Sequence, residues 1–366
     1  MKNKKITYTS SGVNYEALDP VKKFAQKAAL ETGENLKEKG FAEIKDTRGE
    51  SAYVWKQGDI LMATVIEGLG TKNLVADAMR KKGKTFYDYI AHDTVSAIIN
   101  DLITVGARPL TLHAYWAVGD SSWLEDAERM KDLVKGWKKA ANIAGASWGG
   151  GETPTYKGII NNQTIDLGGS AVGFIKNKKQ LITDKKIADK DRIILIKSTG
   201  INVNGLSLAR AIAEKLPKGY QTKVHDKTFG ELLLTKANIY AKLISDLLDK
   251  NIDIHYIVNI TGHGLRKIMR GKGNFTYVID KIFPPQEVFS FIQKQANLTD
   301  EEMYGTYNMG QDYAIFVPAK DVKKTLEVIK KNKFKGIDAG YIKKGPRQVV
   351  IQPKNITFDG SRLDLR

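Results

Sequence analysis

Apolar and polar positions along the chain fall into strand-like and helix-like registers that alternate from end to end. Residues 52–56 and 60–66 predict two strands of a hairpin joined by Gln57-Gly58-Asp59. The second strand runs on as LMATVIEGLGTK over 61–72, an apolar run that delivers an acid, a Gly-x-Gly turn, a threonine and a lysine to one place. Residues 87–105 carry Ala91, Val95, Ile98, Ile99 and Leu102 at helical spacing. A strand is predicted over 110–118, and a capping box at Ser122-Trp123-Leu124-Glu125 predicts a helix after it. That helix should bury Met130, Leu133, Val134, Trp137 and Ala141 and stop at Gly145. A strand over 166–175 then leads into lysine-rich 176–190, which reads as an interdomain connection.

The second half repeats this logic, with strands at 192–197, 254–260, 313–317 and 336–342 and helices at 206–216, 232–248 and 322–331. Its strands also end in glycine-bounded turns, so the two halves are expected to share a cleft. Val349-Val350-Ile351 is a candidate final strand ahead of a polar end. At the N-terminus a polar arm, 7–19, precedes a helix from Pro20, with Val21, Phe24 and Ala28 in register and Gly33 and Gly40 as breaks. Polar, glycine-punctuated 40–51 reads as a mobile loop and a candidate lid.

At 366 residues, 42% hydrophobic and 27% charged, the chain suits two soluble globular domains, read as 1–175 and 176–345 with a tail at 346–366. No apolar run approaches the roughly 20 residues of a membrane span, and the basic start lacks the apolar stretch of a secretory signal, so a cytoplasmic location is expected. The absence of cysteine excludes disulfides, thiolate metal sites and a cysteine nucleophile. The net charge of +17 raises nucleic acid as a partner, but the lysines lie in scattered pairs such as Lys81-Lys82 and Lys138-Lys139, with no arginine-rich tract or aromatic platform. A small anionic substrate is the partner this charge suits better.

Several stretches carry candidate chemistry for a metal–nucleotide. Glu67 can hold a hard cation, Gly68 and Gly70 let backbone N–H groups approach phosphate, and Lys72 supplies countercharge. On the 87–105 helix, Asp93 and Asn100 fall within roughly 20° of each other and Asp101 about 80° further round, a possible shelf for a divalent metal. The bland reading of the same three is a solvated outer face. Trp148-Gly149-Gly150-Gly151-Glu152-Thr153 sets three glycines before an acid, which suggests a backbone that must come close to something, and Glu152 is a second candidate ligand. Ser198-Thr199-Gly200-Ile201-Asn202-Val203-Asn204-Gly205 joins a strand to a helix N-terminus, a ready place for phosphate or carboxylate, or an ordinary capped loop.

Taken in order, these motifs resemble the aminoimidazole ribonucleotide synthetase (AIR synthase) family over nearly all of 6–342. The arm 8–15, Glu67 to Lys72, the Asp93, Asn100 and Asp101 helix motif, Gly150-Gly151-Glu152-Thr153, Asn204-Gly205, Asp253, His255 and Thr261-Gly262, and finally Met303-Tyr304 and Asn308-x-Gly310 each match a family motif. The resemblance implies an α+β subunit of two α/β-sandwich-like domains, an active-site cleft between them and N-terminal strands at a homodimer interface. It implies ATP and Mg²⁺ and a reaction: phosphorylation of the formyl amide oxygen of formylglycinamidine ribonucleotide, amidine attack on that carbon, loss of phosphate and closure of the imidazole. It implies metal ligation by Glu67, Asp93, Asp101 and Glu152, and nucleotide binding by Glu67, Gly68, Gly70, Thr71, Lys72, Asp93, Asn100 and Asp101. Substrate would meet Gly150, Gly151, Glu152, Thr153, Asn204, Gly205, Thr261 and Gly262, with Lys72, Asp93, Asn202 and His255 as catalytic residues.

The chain departs from the family at Glu67, usually aspartate, at Asn202 and Asn259, usually histidines, at Ala114, usually an acid, and at Lys236-Ala237-Asn238 in place of Pro-Thr-Arg. Asparagine carries no proton at neutral pH, which makes His255 and His263 candidates for any general-base role. Because the departures cluster on the presumed substrate side, while the nucleotide side is better kept, a superfamily kinase or ligase with another acceptor stands as the alternative, and a non-catalytic nucleotide-binding homologue as a third reading.

Overall fold

The computed structural model describes residues 15–363. Two mixed sheets, each faced by helices, form the two halves of the molecule. Before the first sheet come α1 (Tyr15–Glu31) and α2 (Glu34–Lys37), so the first helix starts five residues ahead of the predicted Pro20 and holds that proline within its second turn, where the helix forgoes one i→i−4 hydrogen bond. The predicted arm lies outside the described residues except for Tyr15 to Asp19, which are helical.

The first sheet contains β1 (Ala42–Glu43), β2 (Tyr53–Gln57), β3 (Ile60–Gly68), β4 (Arg108–Val118), β5 (Ser147–Glu152) and β6 (Ile165–Ile175), in the order β1-β2-β3-β6-β4-β5. The predicted hairpin is present, with Gln57 opposite Ile60. The alternation of β3 decides its faces: Leu61, Ala63 and Val65 are buried, whereas Ile60 and Ile66 are exposed. On the buried face lie α3 (Lys72–Met79), α4 (Tyr87–Leu102) and α5 (Ala127–Ala144), with α4 packed directly on β3 and β6.

Two details of this half differ from the sequence expectation. The capping residue of α5 is Asp126, whose side chain accepts from Arg129 N–H, while Ser122 to Glu125 lie in a short 3₁₀ turn, and Val134 faces solvent. The triple glycine belongs to β5, which pairs in parallel with β4 at the sheet edge. A Cβ on Gly151 would sit 2.1 Å from the Ala114 carbonyl oxygen, so the backbone that Gly151 approaches is that of β4.

The second half is built on β7 (Arg192–Lys197), β10 (Tyr256–Asn259), β11 (Phe275–Ile279), β12 (Gln311–Val317), β13 (Gly336–Lys344), β14 (Gln348–Ile351) and β15 (Ile356–Asp359), ordered β10-β12-β7-β13-β11-β14-β15, beside a small ribbon of β8 (Lys223–Val224) and β9 (Lys227–Thr228). The stretch expected to be a tail therefore extends the second sheet: β14 runs parallel to β11 and its Val349 and Ile351 are fully buried. The helices here are α6 (Leu206–Lys215), α7 (Phe229–Leu233), α8 (Ala241–Asp249), α9 (Glu287–Ala296), α10 (Asp300–Tyr304) and α11 (Val322–Lys331).

The predicted helix over 232–248 is two helices, α7 and α8, separated by a non-helical strut, residues 234–240. The strut crosses to α4 of the first half, and the exchange of bonds there explains the break. Asp93 accepts Ala237 N–H (2.8 Å), Ser96 and Asn100 donate to the Asn238 carbonyl (2.6 and 2.8 Å), and Asn100 Oδ1 accepts Tyr240 N–H (3.0 Å). Backbone groups that a continuous helix would satisfy internally are satisfied here by the other domain.

Candidate active site

A cavity of about 560 Å³ lies where the halves meet. Its walls come from the β3 turn (Glu67 to Thr71), from α4, from the 202–207 turn and from the turn after β10 that carries Thr261, Gly262 and His263. Lys22 and Gln26 of α1 and Gly49 to Ser51 close it from outside. The segment expected to be mobile is thus part of the wall and is fastened: Tyr256 donates to Glu50 (2.7 Å) and Arg270 to the Gly49 carbonyl (2.7 Å).

Glu67 and Asp101 form the acid wall. They are close enough to interact through a side-chain hydrogen bond, and burial followed by the charge of Asp101 pushes the Glu67 carboxyl up to about 8. Asp101 also accepts from Asn259 (2.7 Å), so one of the asparagines that stand where the family has histidine fixes a carboxylate. Among the described residues no three acidic or histidine side chains form a metal nest. Two carboxylates suit magnesium nonetheless, because that ion keeps several waters and commonly takes one or two carboxylates with the rest of its shell from phosphate.

Lys72 and Asp93 pair with each other at the junction of the two halves. Their side chains are both fully buried and pair at 2.5 Å, and the Lys72 ammonium also donates to the carbonyls of Asn202 (2.8 Å) and Thr235 (2.9 Å). An ammonium has three protons, and all three are used. Lys72 is therefore a staple between the domains, and the second oxygen of Asp93 is taken by Ala237, which leaves neither group to serve a phosphate or a metal in this arrangement. Asn100 is likewise spent on the strut, although its residue, like Asp93, borders the cavity.

The other expected residues divide. Gly68, Gly70, Thr71, Asn202, Asn204, Gly205, Thr261 and Gly262 all line the cavity, whereas Gly150, Gly151, Glu152 and Thr153 do not. Glu152 is exposed on β5 and does not line the cavity that Glu67 and Asp101 share. His255 is also outside, bonded through Nδ1 to Asp191 (2.8 Å), a bond that raises its pKa. His263 does reach the cavity, but burial and the charges of Lys267 and Arg266 push it down to about 2, so the ring stays neutral.

Asn202 holds a left-handed backbone (φ 58°) and donates to Asp312, while its Oδ1 is buried with no partner among the described residues. Thr71 Oγ1 is orphaned in the same way. Two buried oxygens without a partner among the described residues, both on residues that line one polar cavity, are what a site for a hydrogen-bonding ligand would leave. Gly205 shapes the turn: at φ 78° it lets the chain enter α6, and a Cβ there would fall 2.0 Å from the Tyr307 ring. Two functional-looking groups escaped the sequence reading. Asp312, fully buried and pushed up to about 6 by desolvation, anchors Asn202 and Tyr240 (2.6 Å), and Lys267 is a buried lysine in the cavity wall.

Two halves facing one polar cavity, lined by an acid pair and by the turn that opens a helix N-terminus, define a two-domain α/β protein with its candidate site between the domains. The comparisons with known proteins agree with that class. The family described as "AIR synthase related protein, N-terminal domain" matches residues 49–175, and "AIR synthase related protein, C-terminal domain" matches 189–352. The chain belongs to the AIR synthase family. It is similar to the phosphoribosylformylglycinamidine cyclo-ligases of Methanocaldococcus jannaschii (34% identical, covering 75% of this chain and 76% of that one) and Pyrococcus furiosus (32%, covering 96% and 99%). Solved structures share the fold: the HypE–HypF complex (TM-score 0.61, 18% identity, 86% of this chain and 93% of that one) and T. maritima PurL complexed with ADP (TM-score 0.56, 14% identity, 86% and 47%).

Proposed function

We propose that the chain closes the imidazole ring of formylglycinamidine ribonucleotide at the expense of ATP, in the cavity between its domains. The observation that carries the proposal is the meeting of three elements in one cavity: the Glu67–Asp101 pair, the Gly68 to Thr71 turn and the Asn202 to Gly205 turn ahead of α6. Ring closure by phosphorylation asks for placement and charge neutralisation more than for proton shuttling. The N–H groups and hydroxyl of Gly68 to Thr71 bind nucleotide phosphates, and the N-terminus of α6 takes the ribose phosphate. Asn202, held by Asp312, turns its free Oδ1 toward the amidine, accepts an N–H and aligns the attacking nitrogen. No base is required of it. Magnesium, held by Glu67 and Asp101, supplies charge neutralisation on the transferred phosphoryl group.

Dimerisation through the outer face of the first sheet and a cytoplasmic location complete the proposal. No described helix is long and apolar enough to cross a membrane, which is compatible with it. The test is phosphate release from Mg-ATP with and without formylglycinamidine ribonucleotide, with the aminoimidazole product followed in the same samples. Release that requires the acceptor and equals product formed is expected. Acceptor-independent release would move the chain to another superfamily activity, and nucleotide binding without any release to a binding role.

A further inference from the structure

Lys267 sits in the 3₁₀ turn Gly264–Met269, directly after the Thr261 to His263 wall, and it lines the cavity while only 5% exposed. Burying an ammonium is costly unless something compensates its charge. Its hydrogen bond goes to a neutral group, Thr261 Oγ1 (2.7 Å), and the carboxylates whose field acts on it are Asp101 and Glu67. The other cations at this end of the cavity have partners of their own: Arg270 with the Gly49 carbonyl and Glu50, Arg266 with the carbonyls of Gly305 and Arg362, and Lys22 with Asp19 (3.7 Å). Lys267 thus stands in the wall of the cavity that Glu67 and Asp101 also line, bonded to Thr261 and not locked onto the acids; burial pushes its pKa down to about 8, so it is charged at neutral pH.

We propose that Lys267 is a positioning residue, a resident cation that compensates the Glu67–Asp101 pair and keeps a free divalent ion from settling there, so that the metal enters only together with nucleotide phosphate. The inference rests on the reading of this cavity as a metal–nucleotide site. An ammonium near two carboxylates lowers the attraction they exert on a doubly charged ion. A triphosphate brings its own negative charge, which Lys267 attracts, and so reverses the balance. Metal alone is opposed and metal with nucleotide is favoured.

The test is direct Mn²⁺ binding to the nucleotide-free protein by electron paramagnetic resonance, comparing wild type with Lys267→Met, which keeps the length and removes the charge, and with Lys267→Arg. Lys267→Met is expected to bind Mn²⁺ about tenfold more tightly than wild type, while Lys267→Arg stays at the wild-type value. Adding a non-hydrolysable ATP analogue should tighten Mn²⁺ binding in wild type by a larger factor than in Lys267→Met. Mn²⁺ affinity in Lys267→Met equal to or below wild type overturns the inference. If the methionine variant does not fold, Lys267→Gln, which can still donate to Thr261, is judged by the same comparison. Failure of the analogue to bind wild type would count against the nucleotide site itself, and the Mn²⁺ comparison in free protein is read independently of it.

Discussion

Glu67 shows how a single substitution within a motif is tolerated. Glutamate reaches one methylene further than the aspartate usual in the family, and in this chain that reach brings its carboxyl to Asp101, where burial and the second carboxylate hold it protonated up to about 8. The unfolded chain releases this proton near 4.5. Because the folded value is the higher one, the contribution to stability is complete below about 4.5 and is lost as the pH rises toward 8, where the unfolded state binds fewer protons. The metal-free protein should therefore show a falling Tm across that window, and Glu67→Gln should flatten the fall, as read by thermal melts at several pH values in the absence of divalent ions. A Glu67→Gln profile with the wild-type slope would place the titration elsewhere.

At the scale of elements, most strands and both amphipathic helices of the first half were legible because each buries one face, and a face repeats in sequence. The break between α7 and α8 was not. Leu232, Leu233, Leu234, Leu243, Ile244 and Leu247 are all buried, so the apolar pattern reads through, and what interrupts the helix is a set of partners on α4 that lie more than 130 residues away. The same distance hid the fate of Lys72. As a residue beside a Gly-x-Gly turn it reads as a phosphate ligand; its burial against Asp93 and two carbonyls makes it a staple. Lys267 and Asp312 were invisible for the converse reason, since a lysine among basic residues and an acid ahead of a strand look like surface until packing buries them.

The Lys72 staple makes a prediction at this same scale. Removing one partner of a buried ion pair leaves the other charge uncompensated, at a cost of about 3–5 kcal/mol. Lys72→Ala should therefore lower the denaturation midpoint and release the 234–240 strut, with increased hydrogen exchange at Ala237 and Tyr240, instead of leaving an intact fold with an empty site. A Lys72→Ala protein with wild-type stability and no turnover would restore Lys72 to the catalytic list.

For the whole molecule the open question is what covers the outer face of the first sheet. On the face of β3 away from α4, the described residues present Ile60, Met62 and Ile66, with Met62 opposite Phe174 and Thr64 opposite Val172 on the neighbouring strand. Ile66 is 80% exposed and Ile60 60%, at the same end of the molecule that carries the cavity turn or one strand length from it. A contiguous apolar sheet face is unusual on a monomer and marks an interface. A second copy of the same face is the partner that AIR synthase family membership suggests, and self-association about a twofold axis would bury Ile66 against its own sheet. Because Ile66 is the residue before Glu67, the interface would also brace the strand that carries the acid pair. Ile66→Glu should convert a dimer to a monomer in sedimentation analysis and, by loosening β3, reduce turnover without unfolding the chain, whose buried β3 face of Leu61, Ala63 and Val65 is untouched. A wild type that sediments as a monomer at micromolar concentration would remove the dimer and leave the sheet face to another partner.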